Sequence, residues 1–255
     1  MLSPIPALPD RRWPMATPPA PTDETGLRGL VSHVARQLHQ FRYVSASAGS
    51  VSARLDTDRL LITPAGVAKS LIQPDQLVVI ASDGTRLSGQ LEAARALQPD
   101  DEFSLHVECY RQRPEIRGVV HAHPPVAVAL TMAGVSLRMC LVPEAVVILG
   151  LVPTTPYALP NSPEWTHAIR VLIAQHDAIL LAAHGSVTVG ADVWQAYLRL
   201  ETLEHTATIV HHIRQLGPLS PLPPVQVAEL LALRRALGYW RAGDDERFCE
   251  ACGAC

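Results

Sequence analysis

Lysine is nearly missing from this chain: Lys69 is the only one in 255 residues. Chemistry through a lysine Schiff base would have to use it, yet it stands beside Ser70 in a loop without an apolar pocket to activate it. Long apolar runs are missing too, since Gly, Pro or charge interrupts each one, and no membrane span is expected. The N-terminal residues lack the basic start and apolar run of a secretion signal. Positive charge is not in excess: 21 Lys and Arg face 24 Asp and Glu, giving a formal charge of −3 and a pI near 6.4. That balance speaks against a nucleic-acid partner or a basic membrane patch. With 48% hydrophobic and 18% charged residues, the chain can bury one large α/β core, and no solenoid-type repeat divides it. The expectation is a cytoplasmic globular protein acting on a small molecule, with Cys109 and Cys140 as reduced core thiols.

Residues 1–25 are rich in Pro and Ala and read as a flexible tail, because they cannot bury enough apolar surface to offset their ordering entropy. A folded domain is expected over residues 26–240, opening with an amphipathic helix marked by Leu27, Leu30, Val31, Val34, Ala35 and Leu38. Strands are expected over residues 60–63, 77–80, 118–123, 137–142, 178–182 and 186–189. Asp83-Gly84 forms a hairpin turn between 77–80 and 85–87. Helices are expected near residues 103–110, 126–132, 165–175, 194–216 and 225–240, with a short buried element at 145–149. The last segment, residues 241–255, carries Cys249, Cys252 and Cys255 as two overlapping Cys-x-x-Cys pairs. Three thiols at that spacing suit zinc or part of an iron–sulfur cluster, but a fourth ligand is missing, and a disordered reactive tail is the reading.

The chemistry concentrates at His121-Ala122-His123-Pro124-Pro125. On a strand, alternation sends His121 and His123 to one face and Ala122 to the other. The two prolines then end the strand and suit the first turn of a helix, so the imidazoles border a cleft. Two satisfied polar side chains at a strand end would produce the same pattern, and a third ligand and a carboxylate decide between the readings. The apolar run 178–182 ends in Ala183-His184-Gly185, placing a further histidine at a strand end beside a residue that lets backbone approach closely. Glu102 follows Asp100 and Asp101 at a helix start, where capping is the ordinary role of an acid. Three imidazoles and one carboxylate suit zinc, with Mn2+, Fe2+ and Co2+ as alternatives. Such a cation acts as a Lewis acid toward an enediolate, and Glu102 would transfer the proton.

The turn Gly49-Ser50-Val51-Ser52-Ala53-Arg54, the segment Ile62-Thr63-Pro64-Ala65-Gly66, Glu102, His121-Ala122-His123-Pro124 and Ala183-His184-Gly185 stand in an order that resembles the class II aldolase/adducin family. The resemblance implies a three-layer α/β/α fold with a largely antiparallel central sheet and a homotetramer with active sites between subunits. It implies His121, His123, His184 and Glu102 as metal ligands, with Glu102 also catalytic. Gly49, Ser50, Thr63, Gly66 and Asp101 would then bind substrate. Asp100-Asp101 departs from the Ser-Ser pair of the sugar-phosphate members, and two carboxylates would repel a phosphate by about 1 kcal/mol per close pair. The tyrosine that the aldolases use as proton donor has no counterpart in residues 137–149. The expected activity is reversible aldol cleavage of a hydroxylated ketone or ketose in carbohydrate metabolism. A decarboxylase of a keto or hydroxyaromatic acid and a non-enzymatic scaffold are the alternatives. A decarboxylase would need a cation for the substrate carboxylate, with Arg54, Lys69 or Arg138 as candidates.

Overall fold

The computed structural model describes residues 20–87 and 91–255. Most of the expected N-terminal tail, residues 1–19, lies outside that description. Helix α1 spans Glu24–Gln40, so its first two residues fall inside the stretch read as tail. Asp23 starts it, its carboxylate accepting from the Gly26 amide at 2.9 Å.

Six strands form one sheet: β1 Ser50–Arg54, β2 Arg59–Ile62, β3 Val78–Ala81, β4 Gly118–Ala122, β5 Ala178–Leu181 and β6 Gly185–Gly190. Their order is β3-β2-β1-β4-β6-β5 and every pairing is antiparallel. Alternation along each strand gives the sheet two apolar faces. Val51, Ala53, Leu61, Val120 and Ala122 pack under α1 and the long helix α5, Val193–Leu216. Leu60, Ile62, Val119, Ile179, Leu181, Val187 and Val189 pack under α2 Phe103–Gln112 and α4 Pro163–Ile173. The architecture is therefore a three-layer α/β/α sandwich around an antiparallel sheet. Helix α3, Pro125–Met132, starts on the Pro pair that ends β4 and rests on α5 and β5.

The hairpin about Asp83-Gly84 does form, with the Ala81 amide donating to the Thr85 carbonyl at 2.7 Å, the Leu87 amide to the Val79 carbonyl at 3.2 Å, and an antiparallel bridge between Ile80 and Arg86. Two local expectations fail for tertiary reasons. Residues 137–142 form no strand, because only Leu137 finds a bridge, to Val152. The segment 241–255 is not disordered: it forms helix α7, Asp244–Cys252. Phe248 and Ala254 are buried with Val146, Leu151, Val227 and Leu231, the last two from α6, Pro224–Ala236. Asp244 accepts from Arg234, Arg247 and the Arg241 amide at 2.9 Å each, which fixes the helix start. These anchors are spread thinly through the sequence, so local hydrophobicity does not reveal them. Cys140 is disulfide-bonded to Cys252 and Cys249 to Cys255, which corrects the reading of Cys140 as a reduced thiol. Cys109 is a free, buried thiol, its pKa pushed up by burial.

Candidate metal centre

His121 is the penultimate residue of β4, paired across to Ser50 of β1 and Val187 of β6, and fully buried. His123 stands one residue past the strand, and the two rings meet with centroids 4.9 Å apart while Ala122 packs on the opposite sheet face. His184 lies in the turn between β5 and β6, after Ala183 at φ +55°, and its ring stacks on His121 at 5.3 Å. Gly185 makes this approach possible. A Cβ there would lie 2.4 Å from the Ala122 carbonyl oxygen, 2.9 Å from His123 and 3.1 Å from His121.

Glu102 sits at the N-cap of α2 but makes no capping bond with its side chain. Asp100 takes that part of the work, its Oδ1 accepting from the Glu102 amide at 3.1 Å. The Glu102 carboxylate turns instead to the histidines, with Oε2 2.9 Å from His121 Nε2 and Oε1 3.0 Å from His184 Nε2. One ligand atom from each of Glu102, His121, His123 and His184 lies within 4.8 Å of the other three. Four residues separated by up to 82 positions thus converge on one point.

The donor set fits a cation better than it fits itself. His121 Nδ1 is 2.9 Å from the Ser186 carbonyl, a bond only an N–H can make, so Nε2 of the neutral ring carries a lone pair. That lone pair faces the carboxylate at 2.9 Å and His123 Nε2 at 3.0 Å. His184 Nε2 is buried without an aligned hydrogen-bond partner despite the carboxylate oxygen beside it. Lone pairs crowded at a common centre are what a divalent ion with N and O ligands requires, and the Ser186 carbonyl would hold the His121 tautomer. Without an ion, protons must take over. Burial opposes charge on Glu102, but the facing His121 and His184 outweigh it and hold the carboxyl well below the usual range. Burial and the charges on its two neighbours push His123 down to about 3.

Beside the four lies a cavity of about 360 Å³, lined by Ser47, Gly49, Gly66, Asp100, Asp101, Glu102, His123 and Asn161, among others. Gly49, Gly66 and Asp101 therefore reach the space next to the metal ligands. Ser50 and Thr63 do not line it, and their hydroxyls are engaged elsewhere. The Ser50 hydroxyl is 2.7 Å from His106, and Thr63 Oγ1 accepts from the Val51 amide at 3.2 Å. Lys69 is buried behind Ser47 and Asp100, outside the lining, where Nζ donates to the Ser47 carbonyl at 2.7 Å and stands 3.7 Å from Asp100. That pairing compensates one of the two acids that would repel an anion. Arg54 is committed to the carbonyls of Tyr110 and Ile116, and Arg138 reaches Glu250, so neither faces the cavity.

His106 is the residue that the sequence did not single out. Its ring is fully buried between Ser50 and Ser52, 2.7 Å from each hydroxyl, and Ser52 continues to Tyr110 at 3.0 Å. Burial pushes its pKa down to about 3. Glu102, His106 and Tyr110 recur every four residues, and that polar stripe on one face of α2 was the available signal. Asn161 also joins the rim, donating to the Asp101 carbonyl at 3.1 Å and accepting from Ser104 at 2.9 Å.

Fold and site together define an α/β protein with a histidine-carboxylate cluster at the ends of antiparallel strands. The Class II Aldolase and Adducin N-terminal domain matches residues 30–211, and the chain belongs to this family. It is 31% identical over 211 residues to the 3-oxo-tetronate 4-phosphate decarboxylase of Escherichia coli (strain K12), covering 81% of this chain and 96% of that one. It is 28% identical over 176 residues to the L-fuculose phosphate aldolase of Methanococcus maripaludis, covering 69% and 91% respectively. The crystal structure of YgbL from Escherichia coli superposes with a TM-score of 0.72 at 32% identity, covering 81% of this chain and 98% of that chain.

Proposed function

We propose that this protein is a divalent-metal-dependent carbon–carbon lyase that decarboxylates a 3-oxo acid derived from a sugar. The observation that carries the reading is the convergence of Glu102, His121, His123 and His184 on one point beside a cavity. His121, His123 and His184 would hold the ion, with Glu102 as fourth ligand. A bound cation would supply Lewis-acid stabilisation of negative charge on a substrate oxygen, with Zn2+ preferred and Mn2+, Fe2+ or Co2+ able to accept the same ligands.

The protein's own part is to orient the substrate and move one proton. Decarboxylation of a 3-oxo acid removes no proton from carbon and ends with one proton delivered to carbon. Glu102, at the junction of ligand cluster and cavity, would take a proton from water and deliver it to that carbon from a carboxyl oxygen. No tyrosine lines this cavity among the described residues, and Tyr157 is exposed elsewhere. Among the described residues no Lys or Arg lines it either. The cation expected for a substrate carboxylate, Arg54, Lys69 or Arg138, is thus not in the lining, and the choice rests on the missing tyrosine. The relative at 31% identity, named for a decarboxylase, supports the same choice.

Aldol cleavage, the first expectation from the sequence, becomes the second reading, supported by the relative named for an aldolase. It needs a proton taken from the substrate hydroxyl as well as one returned to carbon, and Glu102 would have to do both. A scaffold role is disfavoured because a scaffold has no use for converging lone pairs. The test is purified protein with its metal content measured, given 3-oxo-tetronate 4-phosphate, its unphosphorylated form and fuculose 1-phosphate, with carbon dioxide and aldehyde assayed separately. Metal-dependent carbon dioxide release is expected. Aldehyde alone would establish the second reading, and protein that takes up no divalent ion when offered one and turns over none of the three would overturn both.

We also propose a cytoplasmic homotetramer with active sites completed between subunits. Among the described residues no helix is long and apolar enough to cross a membrane. Exposed Met132, Tyr157 and Leu159 offer apolar surface for association. Light scattering on the purified protein tests the tetramer.

A further inference from the structure

We infer that Cys140, Cys249, Cys252 and Cys255 form a second metal site, a four-thiolate centre for one Zn2+ that the two disulfides replace on oxidation. The segment Cys249-Glu250-Ala251-Cys252-Gly253-Ala254-Cys255 supplies three sulfurs by itself and lacks a fourth. The fold provides it, bringing Cys140 from 112 residues upstream to a Cα separation of 6.1 Å from Cys252. Cys249 and Cys252 are three apart on α7, which places their Cβ atoms about 5–6 Å apart on one helix face. Gly253, at φ +67°, ends the helix and turns the chain back, and the Cα of Cys255 comes within 4.7 Å of that of Cys249. Each cysteine is thus one short step from the next, and side-chain rotation gathers the sulfurs around one ion with Zn–S bonds of about 2.3 Å.

The surroundings suit a closed structural site. Cys140 is buried, and Phe248 and Ala254 pack with Val146, Leu151, Val227 and Leu231 around the base of α7. A tetrathiolate zinc centre carries a charge of −2, and a cation stands nearby. Arg138, two residues from Cys140, reaches the carboxylate of Glu250, the residue after Cys249, at 3.8 Å.

The pairing itself points beyond a covalent staple. Cys140–Cys252 joins α7 to the body of the protein, whereas Cys249–Cys255 closes a separation of six residues and joins no two elements. So short a loop removes only about half the unfolded-chain entropy that the 112-residue one does. As two ligands of one ion, Cys249 and Cys255 gain a purpose. Oxidation of the centre forms two S–S bonds, releases Zn2+ and passes four electrons to an oxidant such as a peroxide. Reduction by two equivalents of a dithiol returns four electrons and four protons, giving four thiols and two cyclic disulfides. Zn2+ then displaces the four protons.

The test uses the full chain, reduced anaerobically with a dithiol, freed of reductant and loaded with Co2+ or Zn2+. Thiolate-to-cobalt charge-transfer absorption is a signature that the histidine-carboxylate cluster cannot produce, so wild-type protein suffices. The expected result is that absorption in reduced protein, its loss when peroxide is added, and its absence in Cys252→Ser. In His121→Ala/His184→Ala, one zinc per chain should remain, all of it lost on oxidation. Reduced wild type without thiolate absorption overturns the proposal, as does Cys140→Ser/Cys252→Ser with undiminished absorption. Iron with acid-labile sulfide in place of zinc in anaerobically purified protein also overturns it. None of these outcomes depends on which reaction the other site catalyses.

Discussion

Gly185→Ala tests the geometry of the metal centre with a single carbon atom. The new Cβ would stand 2.4 Å from the Ala122 carbonyl oxygen, with His123 at 2.9 Å and His121 at 3.1 Å. Ordinary carbon contacts begin near ~3.5 Å, so β6 must retreat from β4 by about 1 Å at its first residue. Overpacking of this kind costs about 1–3 kcal/mol. At ~2–4 °C per kcal/mol for a chain of this size, the midpoint should fall by several degrees. Misplacement of about 1 Å at a reacting centre costs roughly 10²-fold in rate. Gly118→Ala is the control. Its Cβ would meet the Val193 amide at 2.4 Å, an overlap at least as severe at the opposite end of the β4–β6 pair, away from the histidines. Thermal melts, metal content and turnover should be measured on both. Both variants should melt earlier, but only Gly185→Ala should lose metal and turnover per folded molecule. Equal metal content and turnover in the two would refute the claim that strand spacing at Gly185 sets the site.

Further outcomes follow from the same geometry. Glu102→Gln should keep at least part of its metal and lose about 10²–10⁴-fold in kcat, read by metal analysis alongside the carbon dioxide assay. Lys69→Met leaves Asp100 buried without its cation and should lose about 3–5 kcal/mol in urea unfolding, whereas Lys69→Met/Asp100→Asn should recover much of it. His106 has a folded pKa of about 3, below its unfolded value near ~6.5, so the unfolded chain binds more protons between these limits. Its contribution is complete above pH ~6.5 and falls away as pH drops toward 3. His106→Leu should flatten that part of the stability curve, and an unchanged slope would show that the ring is not held neutral.

Strand period and strand endings carried much of the reading. His121, Ala122 and His123 alternate as a period of two demands, and the apolar run before His184-Gly185 placed that turn correctly. Sandwich layering came from the family resemblance. What stayed hidden depended on partners distant in sequence. Ser50 looks like a turn hydroxyl, but β1 is a central strand, and its pairing turns Ser50 inward to His106. Asp100 looks like a second repelling acid until Lys69 is brought to it from 31 residues away. Helix α7 has few apolar residues, and its stability rests on Phe248, on the Arg234–Asp244 pair and on cysteines whose partners cannot be read from spacing.

The most direct measurement is the metal content of wild type, His121→Ala and His184→Ala, each equilibrated with Zn2+ under oxidising conditions that keep both disulfides closed. One ion per chain in the wild type, and none in either folded variant, is the result that convergence of Glu102, His121, His123 and His184 demands. Wild-type protein that takes up no ion, or variants that retain it in full, would contradict the account.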